Sequence, residues 1–261
     1  SLIEDAPGGS GANVAVALAR EGVAPTLVAR VGATDVARET ARLRALGVEA
    51  RLAGDRSTGT GRLVALVDAA GERTFFSMRG ASARLKPADA PASLLDEADW
   101  LHLSGYLLFS PASVGVVPRL IAAALRRGVP VSVDPASAAP LRAFGAERFL
   151  AATEGATLLL PNEDEARALV PGASVDEALD ALAARYPMVA LKRGPAGATL
   201  TIGGRRLEAP ARAIRVMDST GAGDSFAAAF IARLSLGATA SAALAAAIRA
   251  GTRACRRLGA Q

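Results

Sequence analysis

The chain of 261 residues has a single cysteine, Cys255. One thiol closes no internal disulfide and supplies no thiol metal cluster, and a reducing cytoplasm is the expected location. Lysine is nearly absent. Only Lys86 and Lys192 are lysines, and the remaining basic residues are arginines spread along helix-like stretches such as ARETARLRALG. No basic run is interleaved with aromatics, so the net charge of +5 is not expected to serve nucleic acid. Attraction of anionic small molecules is the better use of that field. Aromatic residues make up only 4% of the chain. No apolar run reaches the roughly 18 residues of a membrane span, and no signal-peptide pattern opens the chain, so no membrane partner is expected. The phosphate-loop pattern G-x-x-x-x-G-K-[ST] is missing as well.

What is present is alternation. Helical spacing over 13–22, 35–47 and 112–128 is interleaved with apolar runs at 25–32, 100–106, 129–135, 156–162 and 188–194. Strand followed by helix, repeated, predicts an α/β fold with a doubly wound, mostly parallel central sheet covered by helices on both faces. Two stretches break the rhythm. Residues 59–80 read as a hairpin turning at Ala70-Gly71-Glu72, placed like a lid over a site. Residues 197–210 read as a second hairpin turning at Gly203-Gly204, expected at an antiparallel edge. No linker divides the chain, so one domain over 1–261 is expected. A first strand ahead of the glycine turn at 8–11 is missing from the pattern.

Three motifs carry chemistry. GGSGANVAVALAR (8–20) imitates a dinucleotide fingerprint but lacks its third glycine and its preceding strand; Arg30 would suit only a 2′-phosphate. Its structural alternative is a tight turn with Ser10 or Asn13 capping a helix. PNEDEARAL places Asn162 and Glu165 three apart, which fits a capping box, or a pair of oxygen ligands facing magnesium through water. VMDSTGAGDSF places Gly221, Ala222 and Gly223 at the start of a helix, where unpaired N–H groups favour a phosphate. Asp224, directly behind them, is either a cap or a general base that takes a proton from an attacking hydroxyl. His102 is expected to be a satisfied buried residue.

These segments resemble the ribokinase-like (PfkB) carbohydrate kinases. GGSGANVAVALAREG and DSTGAGDSFAAAF match the two signatures of that family, PNEDE matches its Asn-x-x-Glu motif, and ERTFFSMRGAS and LHLSGYLL look like family segments. The resemblance implies an ATP-dependent kinase acting on a hydroxyl of a small sugar or sugar acid. It implies Asp224 as base, Gly221, Ala222 and Gly223 as anion hole, and Gly9, Ser10 and Asn13 in the sugar pocket. Lys192, Gly194, Gly197 and Asn162 fall on the nucleotide side. Asn162 and Glu165 would organise Mg2+, and Asp218 and Thr220 fall where some members hold K+. The lid hairpin implies a homodimer interface. Ser104 stands where ribokinases tend to have an acidic sugar contact, and Arg79 is a candidate for an anionic group on the acceptor, or a solvated loop arginine. A nucleoside kinase and a non-catalytic sugar or nucleotide sensor are the alternative readings.

Overall fold

A computed structural model describes residues 6–67 and 73–261. In chain order the elements are α1 (Ser10–Arg20), β1 (Thr26–Gly32), α2 (Val36–Ala45), β2 (Glu49–Asp55), β3 (Arg62–Val67), β4 (Arg73–Met78), β5 (Leu101–Ser104), α3 (Val116–Leu125) and β6 (Val131–Asp134). There follow α4 (Ala138–Phe144), α5 (Ala146–Ala152), β7 (Leu158–Leu159), α6 (Glu163–Leu169), α7 (Val175–Ala183), β8 (Met188–Lys192), β9 (Ala198–Ile202), β10 (Arg205–Ala209), α8 (Ala222–Ser235) and α9 (Ala240–Ala254).

The main sheet has the order β10-β9-β8-β7-β6-β5. β5 through β8 run parallel, and β9 and β10 close the edge antiparallel, as the second hairpin predicts. Side-chain alternation assigns the two faces. Val131, Val133, Leu159, Val189 and Leu191 point into a core with α3, α5, α6 and α7, centred on Phe149 and Leu179. Leu158, Leu160 and Ala190 point the other way, onto Phe226, Phe230 and Leu244 of α8 and α9. The residues that alternate with the valines of β6 are Ser132 and Asp134, so this second face carries buried polar groups.

The expected boundaries shift in several places. The 13–22 helix already starts at Ser10 and ends at Arg20. The 112–128 helix starts only at Val116, after a turn at Ser110–Ser113. The 156–162 run ladders over just Leu158–Leu159. The 100–106 strand ends at Ser104, and Gly105–Phe109 winds into a 3-10 turn. One strand escaped the sequence pattern: β2, which pairs parallel to β1 in a separate two-stranded sheet. The lid hairpin forms as β3–β4, with Val64 opposite Phe76; its expected turn at 70–72 lies outside the described residues. Arg30 is largely covered and held in ion pairs with Asp55 (3.0 Å) and Asp89 (2.7 Å), which removes it as a dinucleotide contact. No helix among the described residues is long and apolar enough to cross a membrane.

Candidate active site

The site lies outside the C-terminal ends of the parallel strands, where crossover connections leave a crevice. Ser104 ends β5, Asp134 ends β6 beside it in register, and Lys192 ends β8. The N-termini of α1 and α8 converge above them. Gly9 lets the chain enter α1, with φ of 97°, and Gly221 does the same for α8, with φ of 76°.

The two helices meet through Asp224. Ser10 Oγ donates to its Oδ1 at 3.0 Å, and Asn13 Nδ2 donates to its Oδ2 at 2.7 Å. Gln261 Nε2 donates to Asn13 Oδ1 at 2.9 Å, which turns the Asn13 amide nitrogen toward the carboxylate. Neither helix has a side-chain cap at this end. The capping alternatives for Ser10, Asn13 and Asp224 are therefore not realised: Ser10 and Asn13 each give one hydrogen bond to Asp224 instead. Burial raises the Asp224 pKa above the usual aspartate value, the Asn13 hydrogen bond opposes that, and the charge of Asp134 adds to it.

Lys192 Nζ donates to Asp134 Oδ2 at 2.6 Å. It lies 3.5 Å from where a Cβ on Gly223 would stand, so its ammonium abuts the α8 glycine loop. Burial alone would lower it, but Asp134 and Glu165 outweigh that and hold it above the ordinary lysine range. The N–H groups of Gly223 and Asp224 sit in the first turn of α8, where the helix offers them no acceptor. Free donors, the positive end of the helix dipole and a buried ammonium thus face one spot, which suits an anion.

Asn162 and Glu165 do form a capping box. Asn162 N–H donates to Glu165 Oε2 and Glu165 N–H donates to Asn162 Oδ1, each at 2.8 Å. Burial pushes the Glu165 carboxyl up to about 7, with Lys192 opposing and Asp134 reinforcing. The main chains of Asn162 and Lys192 are bridged, which brings this pair to the edge of the same crevice. Asp218 accepts from the N–H groups of Thr220 (2.7 Å) and Gly259 (3.0 Å), folding the loop that leads into Gly221. Gly194 and Gly197 lie past Lys192 in a 3-10 turn; a Cβ on Gly197 would collide with the Ala209 carbonyl, so packing already requires that glycine. A cleft of about 510 Å3 lined by Arg215, Val216, Met217 and Leu258 opens beside the Asp218 loop.

The sequence pattern missed Asp134, whose partner is 58 residues away, and Tyr106. Tyr106 follows Ser104 in the 3-10 turn at the end of β5 and carries the Arg79 guanidinium over its ring, and burial pushes its phenol up. His102 is satisfied on one side only. Its Nδ1 is 2.9 Å from Ser132 Oγ, whereas its Nε2 has no partner, nor has Ser104 Oγ. Burial lowers the imidazole to about 4, so it is neutral at pH 7.

Residues 2–261 match the family described as pfkB family carbohydrate kinase. Ribokinase of Bacillus subtilis is 31% identical over 261 residues, covering 98% of this chain and 83% of the relative. A putative ribokinase II of E. coli, solved with ATP and Mg2+, superposes with a TM-score of 0.89 at 25% identity, over 99% of this chain and 85% of that one. An adenosine kinase of Sinorhizobium meliloti shares the fold, with a TM-score of 0.94 at 23% identity over 100% and 81% of the two chains. The chain belongs to the pfkB carbohydrate kinases, a family of ATP-dependent phosphotransferases with a ribokinase-like α/β fold.

Proposed function

We propose that the chain transfers the γ-phosphoryl group of ATP to a hydroxyl of a small sugar or sugar acid, with Asp224 as general base. The observation that carries this reading is the carboxylate of Asp224, held by Ser10 and Asn13 beside unpaired helix N–H groups and Lys192. A hydroxyl hydrogen-bonded to Asp224 gives up its proton to the carboxylate as its oxygen bonds to phosphorus, and the bond from phosphorus to the departing ADP oxygen breaks. The N–H groups of Gly223 and Asp224 and the Lys192 ammonium stabilise the charge on the transferring group, whereas the Ala222 N–H is spent on the Ser219 carbonyl and only shapes the Gly221-Ala222-Gly223 turn.

Lys192, Asn162, Gly194 and Gly197 form the nucleotide side, and the apolar cleft at Val216, Met217 and Leu258 takes the base. The described residues contain no cluster of three metal-ligating side chains. A magnesium ion would be held by phosphate and water and oriented through Asn162 and Glu165 at the edge of the crevice, where it would neutralise phosphate charge. Asp218, whose carboxylate already accepts from the N–H groups of Thr220 and Gly259, and Thr220 would be the residues to hold a potassium ion, should the loop before Gly221 take one. Gly9, Ser10, Asn13 and the unpartnered Ser104 hydroxyl face the acceptor's hydroxyls. The aromatics are poor platforms for a nucleoside base. Tyr106 packs edge-on against Phe109 and lies under Arg79, and Phe109 packs on Phe144.

Exposed Val64, Phe76 and Met78 share one face of the lid and would join a second copy. Val64→Lys with Phe76→Lys should then give a monomer by light scattering. Coupled ADP release across sugars, sugar acids, sugar phosphates and nucleosides tests the function. A polyhydroxylated acceptor should give the highest kcat/KM, and Asn13→Ala should raise KM for that acceptor far more than for ATP. A nucleoside well above every sugar compound would overturn the reading.

A further inference from the structure

Arg79 follows the last residue of β4 and reaches back over the crevice. Its Nη2 donates to the Tyr106 carbonyl at 2.6 Å, and its guanidinium lies 5.3 Å from the centre of the Tyr106 ring. These two contacts hold the side chain in place, so the solvated-loop alternative does not describe it. They do not neutralise it. Among the described residues no carboxylate pairs with Arg79, and burial pushes its pKa down with only the Tyr106 phenol opposing. The other inward-facing arginine of this half of the chain is treated differently: Arg30 has both Asp55 and Asp89. A half-buried guanidinium lacking a counter-ion is costly unless something supplies the negative charge.

The location says what would supply it. Tyr106 lies in the 3-10 turn that follows Ser104, and Ser104 is in register with Asp134, whose carboxylate holds Lys192 against the glycine loop that leads to Asp224. Ser104 Oγ, two residues earlier at the end of β5, is buried without a partner. A ligand lying from Asp224 past Ser104 would therefore present its far end to Arg79. Of the five N–H donors on a guanidinium, one is used on the Tyr106 carbonyl. The rest match two oxygens of one anionic group.

We propose that the acceptor is an anionic sugar derivative, whose charged group binds Arg79 over Tyr106 while the hydroxyl at its other end faces Asp224. The inference rests on the phosphotransferase reading above and names the acceptor class for that same site. A carboxylate and a phosphate monoester share the required chemistry. A single guanidinium balances a single charge, so a sugar acid is the expected source.

The test uses the intact chain with ATP and matched acceptors of equal carbon number: aldonic acids, the parent aldoses and alditols, and the aldose phosphates. Wild type should use an anionic acceptor with kcat/KM well above its neutral parent. The acid and phosphate arms identify the source of the charge, and a preference for either supports the proposal. Arg79→Gln should raise KM for the anionic acceptor on the order of 10- to 100-fold, the usual range for a charged hydrogen-bond pair, and leave the neutral parent nearly unchanged. Arg79→Lys, which keeps the charge without the fork, should fall between. Thermal melting and ADP binding establish that each variant is folded. Equal or better use of neutral sugars by wild type overturns the proposal, as does an equal loss on both acceptor types in a folded Arg79→Gln. Such results leave the kinase reading standing. Absence of transfer to any sugar compound overturns that reading and this inference together.

Discussion

Replacing Asp224 with Asn separates chemistry from architecture. Asn has the same shape, and its carbonyl oxygen still accepts from Asn13 Nδ2, the shorter of the two bonds at 2.7 Å. The Ser10 hydroxyl can rotate to accept from the new amide, so the contact between α1 and α8 survives. What disappears is a proton acceptor. Loss of a general base costs on the order of 10²–10⁴ in rate, which is about 3–5 kcal/mol of transition-state stabilisation. Nucleotide affinity should hardly change, because the N–H donors of α8 and Lys192 remain.

The same substitution has a second consequence for stability. The ordinary aspartate value is 3.8, and burial raises it in the folded protein. Between those two values the folded state binds more protons than the unfolded chain, so stability falls as pH rises through that window and stays lower above it. Asn carries no charge to desolvate. Asp224→Asn should therefore melt at a higher temperature than wild type at pH 7–8, with the gap closing below the ordinary aspartate value. Coupled ADP release measures the rate, and scanning fluorimetry across pH measures the gap. A variant that keeps more than about half of kcat, or melts lower than wild type at pH 8, refutes the assignment of a strained, proton-accepting carboxylate.

Three further perturbations probe the surroundings. Asp134→Asn leaves Lys192 buried without its nearest carboxylate and should cost several kcal/mol, roughly 3–5 for a broken buried pair; adding Lys192→Met should recover part of that loss in urea unfolding, and strict additivity would show the two are not coupled. Glu165→Gln keeps an oxygen for the Asn162 N–H but removes a carboxyl that titrates near 7 in the fold against 4.5 ordinarily, so its melting temperature should gain on wild type as pH rises from 5 to 8; its half-saturating magnesium concentration should also rise, and a shift in melting alone would sink the metal assignment. Gly105→Ala would set a Cβ 2.7 Å from the Pro135 carbonyl oxygen and 2.9 Å from that of Asp134, prising apart the strand ends that carry Ser104 and Asp134. It should cost about 1–3 kcal/mol in stability and lower kcat/KM, and a neutral result in both would show that the crevice tolerates the spread.

The parts of this molecule legible in its sequence are those whose signal is local. Gly221-Ala222-Gly223-Asp224 leads into a helical run, so the helix N-terminus and the acid behind it are read from a dozen residues, although the apolar run before it reads as a strand and is a loop in the fold. The hairpin at Gly203-Gly204 is equally self-contained, and it does form the antiparallel edge. β2 was illegible for a physical reason. Glu49–Asp55 has no β-branched residue, and it pairs in parallel with β1, so no tight turn announces it. Asp134 was illegible for another. In VSVDP it has the look of a residue that ends a strand, and its ammonium partner comes from a strand 58 residues later.

Ser10 and Asn13 teach the subtler lesson. Their spacing marks them as polar groups at the mouth of a helix, which is true, but polarity alone does not name a partner. The fold spends both on a carboxylate more than two hundred residues away. An acceptor hydroxyl would thus meet Asp224 already fixed by two donors, with its remaining lone pairs directed by them. That constraint orients the carboxylate before any ligand arrives. It also limits how far two hydrogen bonds depress the basicity that burial raises. Ser10→Ala removes the longer bond and should leave Asp224 more basic but less firmly held. The acidic limb of kcat/KM should move to higher pH while the plateau falls; a lower plateau with an unmoved limb would mean that Ser10 positions the carboxylate without tuning it.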